Sequence, residues 1–380
     1  MSQHEIETRA ELLDHLQRGA LREVIVQGLA LDDVEDRLRR CDVAGAVFLS
    51  CGLSPTASAD LIARGALVFP HLPDLPYQPG RGQLYGVDEL MRGYERGVHK
   101  SFFTATTDGA IYAHYDRARK TRVPFLDSLA QALHDHAIED ALAELLQPEG
   151  EPAKRVVAFM GGHATPRTDE SFLAVAQCAQ ALAREGYFVA TGGGPGAMEA
   201  ANLGAALRDA TDAQLRDAVT HLATAPTYKS EGWFDRAFDV KERLAQQGVA
   251  LAESLGVPTW FYGHEPSNLF CSHIAKFFSN ALREDGLLAI ARHGVVYGPG
   301  GPGTVQEVFM DACQNAYGTF GDVSPMVFLG TRYWHEQRPA LALLRTLSTG
   351  RQLDAQIGVF DAIADVVTFL RAHPPVPYRG

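Results

Sequence analysis

The sequence predicts an α/β protein, a Rossmann-like doubly wound parallel sheet preceded by an additional N-terminal α/β domain. Three observations lead there. Short apolar runs recur at strand length, they alternate with stretches of helical spacing, and two of them end in glycine-rich loops, Gly192-Gly193-Gly194-Pro195-Gly196 and Pro299-Gly300-Gly301-Pro302-Gly303-Thr304.

The boundary falls near residue 150, in the polar segment Gln147 to Lys154 with its two prolines and a glycine. Residues 1–150 then form the N-terminal domain, which carries no catalytic motif and is expected to regulate, oligomerise or cover a site, and 151–380 the Rossmann-like domain that holds both glycine loops. In the first, 23–28, 43–49 and 66–70 read as buried strands, 71–85 as an ordered loop, and 125–146 as an amphipathic helix. In the second, 155–160 is a strand ending in Gly161-Gly162, 170–185 a helix, and 187–191 the strand that feeds the first glycine run. A helix over 197–207, a charged helix-prone insertion at about 208–256, a strand over 258–262 and a helix over 272–284 follow. The strand 294–297 feeds the second glycine loop, and 304–317 is the next helix. A strand at 326–329 and two terminal helices, the last over 361–373, complete the sheet.

Composition narrows the function classes. A chain of 380 residues with 46% hydrophobic and 21% charged residues buries a sizeable core. A net charge of -12 argues against nucleic acid as partner, because phosphate backbones are met by basic surfaces. The five cysteines have no metal-ligand spacing and read as reduced thiols. Residues 1–18 lack the basic-then-apolar plan of a signal peptide, and no apolar run reaches the roughly 18 residues that span a bilayer. The expectation is a cytoplasmic protein with no membrane partner, no metal and no cofactor. His134-Asp135-His136 does not change this, since residues two apart on a helix face different directions.

Each glycine loop joins the end of a strand to the start of a helix, where free N–H groups meet an anion. Gly192, Gly193, Gly194 and Gly196 let backbone approach a phosphate, with Met198 in the first helical turn; Gly300, Gly301 and Gly303 do the same in the second loop, and Thr304 adds a hydroxyl. Neither loop carries the Gly-Lys-Ser/Thr ending of a triphosphate loop. Gly192, Gly194 and Ala197 satisfy a dinucleotide fingerprint, so NAD(P) binding is the runner-up. Its acid would end the next strand, whereas Asp209 and Asp212 open the insertion.

The segment Pro299-Gly300-Gly301-Pro302-Gly303-Thr304-Val305-Gln306-Glu307 resembles the PGGxGTxxE signature of the Lonely Guy (LOG) family of nucleoside 5'-monophosphate phosphoribohydrolases. Gly192 to Met198 is similar to that family's GGGxxGxM element, with Ala197 where a glycine would stand. The resemblance covers about 155–372, and the long N-terminal extension matches the larger bacterial nucleotide nucleosidases of the group. It implies cleavage of the N-glycosidic bond of a nucleoside 5'-monophosphate to free base and ribose 5-phosphate, and assembly as a homodimer or higher oligomer. The apolar positions Phe277-Phe278, Leu282 and Leu287-Leu288 suggest a helix with hydrophobic surface to spare for such an interface.

That chemistry needs a carboxylate beside an oxocarbenium-like sugar. Glu307, three residues after Thr304, has the position; the same spacing also makes a capping box. The resemblance further implies an arginine on the preceding helix. Arg283 is the local match, although Arg283-Glu284 replaces the family's Arg-Lys pair, and a solvated arginine paired with Glu284 or Asp285 is the other reading. Asp311 is a second acid or a solvated helix residue. Gly162 and His163 follow the first strand on the ligand side, and Asn268 is a ribose contact or turn chemistry. Tyr228, Trp233 and Phe234 are aromatics for a base or for packing. A non-catalytic nucleotide sensor on the same scaffold remains the alternative to an enzyme.

Overall fold

In the computed structural model, which describes residues 4–72, 74–120 and 123–379, most of the apolar runs become parallel strands. The chain divides into two units, Met1–Leu84 with Ala113–Leu145, and Tyr85–Tyr112 with Leu146–Gly380. The sequence boundary near 150 lies close to the last of these crossings, but Tyr85–Tyr112 belongs with the C-terminal unit. No helix among the described residues is long and apolar enough to cross a membrane.

The first unit holds β1 (Glu5–Ile6), β2 (Ile25–Gln27), β3 (Val47–Cys51) and β4 (Leu67–Pro70), in the order β1-β2-β3-β4 with every pair parallel. Ile6, Val26 and Phe48 from the strands pack with Leu12, Leu16 and Leu61 from the helices. The helix Phe125–Leu146 has the limits its apolar spacing predicts.

The second unit holds β5 (Val156–Met160), β6 (Phe188–Thr191), β7 (Leu255–Gly256), β8 (His273–Ile274), β9 (Val295–Tyr297), β10 (Asp322–Val323), β11 (Met326–Leu329), β12 (Ile357–Phe360) and β13 (Val376–Pro377). Seven of them form one parallel sheet in the order β12-β11-β9-β5-β6-β7-β8, and β10 pairs antiparallel with β13. From β5 the chain adds strands toward β8, then returns to the other side of β5 with β9. The reversal between β5 and β9 is the topological switch point, where an open parallel sheet leaves a crevice at its carboxyl edge.

Four sequence expectations are corrected. The strand expected over 258–262 is the shorter β7, because Pro258 has no N–H to continue the ladder; only Thr259 bridges onward, to Phe277. The helix expected over 272–284 is the helix Asn280–Ile290, which starts after Ser279, whose side chain caps Leu282 N–H. The preceding residues instead supply β8. The insertion forms the helices Asp212–Leu222 and Trp233–Gln246, and its last residues supply β7. Between the terminal helices Ala340–Ser348 and Ile363–Ala372 lies a strand that was not expected, β12.

Candidate active site

The switch point is built from three loops locked together by backbone. Gly162 N–H donates to the Pro299 carbonyl at 3.0 Å, and Ala197 N–H donates to the Gly162 carbonyl at 3.0 Å. Gly196, at φ +71°, sits where a Cβ would strike the carbonyls of Gly162 and His163, so the close approach requires glycine. Gly193, at φ +72°, would place a Cβ 2.8 Å from Pro258 Cδ.

Between these loops lies a cavity of about 620 Å³, lined among others by Gly162, Gly192, Gly194, Met198, Arg283, Gly301, Gly303, Thr304 and Glu307. Gly193, Gly196 and Gly300 shape the loops from behind rather than facing the space. Gly301 and Gly303 are different: a Cβ there would meet nothing within 4 Å, and neither has a positive φ. Packing and backbone conformation do not require glycine at these two positions.

Glu307 is not part of a capping box. The helix begins at Pro302, with Gly301 as N-cap and no side-chain cap hydrogen bond, so Thr304 stands inside the first turn and Glu307 one turn deeper. Pro302 occupies the first helical position, where its missing N–H costs nothing. The Glu307 side chain is 17% exposed, and its Oε1 lies 3.8 Å from Arg283 Nη1. Burial pushes its carboxyl up to about 7, with Glu284 adding to the rise and Arg283 opposing it. It therefore titrates where an acid or base works at neutral pH.

Arg283 is not a solvated helix-end residue either. It stands in the first turn of the helix Asn280–Ile290, where the dipole disfavours a cation, and is 12% exposed. Nε donates to the Val257 carbonyl at 2.9 Å. Bare Gly192 makes room for the guanidinium, which a Cβ there would strike. Among the described lining residues Arg283 is the one arginine or lysine.

Asp311 is buried beneath this site rather than solvated or facing the cavity. Tyr297 Oη donates to its Oδ2 at 2.7 Å and Asn315 Nδ2 to its Oδ1 at 2.8 Å. Burial outweighs both hydrogen bonds and lifts its carboxyl to about 7. Asn268, expected at the ribose, is fully buried behind the first loop. Its Nδ2 donates to the Gly194 carbonyl at 3.1 Å and to Asn202 Oδ1 at 3.0 Å, and its Oδ1 accepts from Phe270 N–H at 3.1 Å. Removing it leaves buried groups unpaired, so Asn268→Ala is expected to destabilise the fold by about 1–3 kcal/mol in denaturant titration. Unchanged stability would deny the supporting role.

Of the other candidates, His163 is exposed at the rim and Tyr228 lines the cavity, while Trp233 and Phe234 are buried packing residues. Tyr262, Glu265, His264 and Gln306 also line the space without having been singled out, as does Glu284, which was named only as an ion-pair partner for Arg283. Tyr262 Oη donates to Glu284 Oε1 at 2.9 Å, and Gln306 Nε2 to Glu284 Oε2 at 3.2 Å. The acid a dinucleotide site needs is missing at its place: β7 is followed by Val257-Pro258, Asp209 pairs with Arg208, and Asp212 with Arg184. Four of the five apolar positions offered for an interface, Phe277, Phe278, Leu287 and Leu288, are buried in the chain's own core; Leu282 alone is exposed, at 39%.

The raised Glu307 carboxyl makes a stability prediction. The folded state holds this proton from about pH 4.5, where an ordinary glutamate loses it, up to about 7. Stability therefore falls as pH rises through that window and stays low above it. Glu307→Gln removes the buried charge, so at pH 8 it is expected to be more stable than the wild type by about 1–3 kcal/mol, with most of the difference gone at pH 5. Equal melting curves at pH 8 would contradict the burial of a working carboxylate.

No protein-family model and no curated protein matches the chain. Among solved structures it is similar to the molybdenum cofactor binding protein of Rippkaea orientalis, with 15% identity over 58% of this chain and 98% of that one and a TM-score of 0.37. It is likewise similar to the Moco carrier protein of Chlamydomonas reinhardtii, with 19% identity over 58% of this chain and 99% of that one and a TM-score of 0.37. Likeness at this level carries nothing about ligand or chemistry.

Proposed function

We propose that this protein hydrolyses the N-glycosidic bond of nucleoside 5'-monophosphates, releasing the free base and ribose 5-phosphate. The observation that carries the reading is Glu307, a buried carboxyl titrating at about 7, beside Arg283 in one cavity with both glycine loops. The phosphate lies against the bare backbone of Gly301 to Thr304 and the helix N-terminus behind it. The ribose then reaches Glu307, which stabilises the cationic sugar or takes a proton from the attacking water. Arg283 holds the carboxylate partly charged and meets phosphate or ribose oxygens.

The similarity of Pro299 to Glu307 to the Lonely Guy signature supports the same reading, and brings with it a homodimer, for which light scattering at micromolar concentration is the check. The test of the function is incubation with AMP, GMP, CMP, UMP and dTMP followed by separation of free bases. Release from at least one is expected. Tight binding with no release from any would make the protein a nucleotide sensor and overturn the proposal.

A further inference from the structure

Departure of a nucleobase raises a requirement that Glu307 and Arg283 do not meet. The C1'–N bond breaks with its electron pair going to the base, and a base anion is a poor leaving group, so a proton donor on the base side accelerates the step. Within the C-terminal unit one cavity-lining side chain is fixed in the manner of a proton donor. His264 Nε2 lies 3.0 Å from Asp108 Oδ2, its ring stacks on Phe102 at 4.6 Å and 23° and on Tyr112 at 4.7 Å and 7°, and Phe103 meets it edge-on at 5.1 Å. Two stacked rings and an edge-on third hold the imidazole in place, and one nitrogen is committed to a carboxylate.

The support behind His264 is elaborate for a loop residue. Asp108 is buried and also accepts from Lys276 Nζ at 2.7 Å and Trp260 Nε1 at 3.0 Å; Lys276 is itself fully buried. Burial pushes the Asp108 carboxyl up, but Lys276 and His264 outweigh it and hold it at about 2. A buried ion pair of this kind adds little stability over apolar packing. It does keep a permanent carboxylate against the imidazole, which selects the tautomer with hydrogen on Nε2. Nδ1 is the ring nitrogen left without a hydrogen-bond partner among the described residues.

Resting on the hydrolase reading above, we infer that His264 is the general acid that protonates the departing base through Nδ1, with Asp108 as its positioning residue. The balance closes. The imidazolium gives its Nδ1 proton to a ring nitrogen of the base as the C1'–N bond breaks, and water adds to C1' and loses a proton to Glu307. Solvent exchange returns both groups to their starting state. The sum is nucleotide plus water to base plus ribose 5-phosphate.

The test compares AMP with 4-nitrophenyl β-D-ribofuranoside 5-phosphate, whose nitrophenolate leaves without protonation. His264→Ala is expected to lower kcat on AMP by about 100-fold or more while changing kcat on the nitrophenyl substrate by less than about threefold. Asp108→Asn is expected to show the same split, which a loosened fold does not produce because it harms both substrates alike. Glu307→Gln should depress both. Equal losses on the two substrates in His264→Ala, or no loss on AMP, overturn the assignment while leaving the hydrolase reading in place. A wild-type protein inactive on both overturns the hydrolase reading itself.

Discussion

Replacing Glu307 with alanine is expected to lower base release from a nucleoside monophosphate by at least about 100-fold, the scale of losing a group that stabilises transition-state charge. Nucleotide binding and fold should survive. The helix Pro302–Tyr317 takes no cap from Glu307, since Gly301 is its N-cap and no side chain closes its first turn. The carboxyl pairs only distantly with Arg283, at 3.8 Å, and burial keeps it protonated in the folded state well above the usual carboxylate range. A residue that costs stability when ionised and contributes nothing to its helix end is expected to show its loss in kcat and not in a lowered melting temperature. Steady-state kinetics with AMP and with whichever monophosphate is turned over fastest, together with a binding isotherm, separate the two. Unchanged turnover in a folded variant would remove Glu307 from the mechanism.

The parts of the site legible in the sequence are those written locally. Gly192 to Gly196 and Pro299 to Thr304 each follow an apolar run and precede a helical period, so their placement at the carboxyl edge needs no distant information. The start of the second helix was also written there. Pro302 is a first-turn residue by its fixed φ and missing N–H, yet the Thr304–Glu307 spacing also fits a capping box, and spacing alone does not choose between them. Strands β7 and β8 were misread or missed because each is only two residues long, and because Pro258 and Ser279 set limits that a periodicity window smooths over. Phe277, Phe278, Leu287 and Leu288 look surplus along one helix only until the strand and loop before it are seen to bury the first two. The pairing of Asp108 with His264 spans 156 residues and leaves no local pattern at all. Asn268 shows the opposite error: a polar residue near a ligand loop is as readily a brace behind it as a contact in front, and only burial separates the two.

Monophosphates are expected to be cleaved at least about 100-fold more efficiently than the matching nucleosides, from the several kcal/mol that charge-assisted contacts supply when they act on the transition state. Two helices, Ala197–Ala206 and Pro302–Tyr317, begin at glycine N-caps beside the same crevice, and neither takes a side-chain cap. Ala197 N–H is taken by the Gly162 carbonyl and Pro302 has none, so the next N–H groups, Met198 on one helix and Gly303 and Thr304 on the other, are those left for a ligand. The net charge of -12 repels a phosphate dianion at long range, and Glu284 and Glu265 add to that within the cavity, so discrimination has to come from these short-range donors and from Arg283. Thr304→Val removes one hydroxyl beside Gly300 and should narrow the gap by weakening monophosphate cleavage alone. Gly303→Ala enters open space without disturbing any neighbour within 4 Å, so it should fold normally and still raise KM for the monophosphate by crowding the loop. Rates on adenosine and AMP, measured side by side in the wild type and both variants, decide the matter. Equal efficiency on the two in the wild type would mean that the glycine loops do not read the phosphate, and would turn the assignment toward a nucleoside hydrolase.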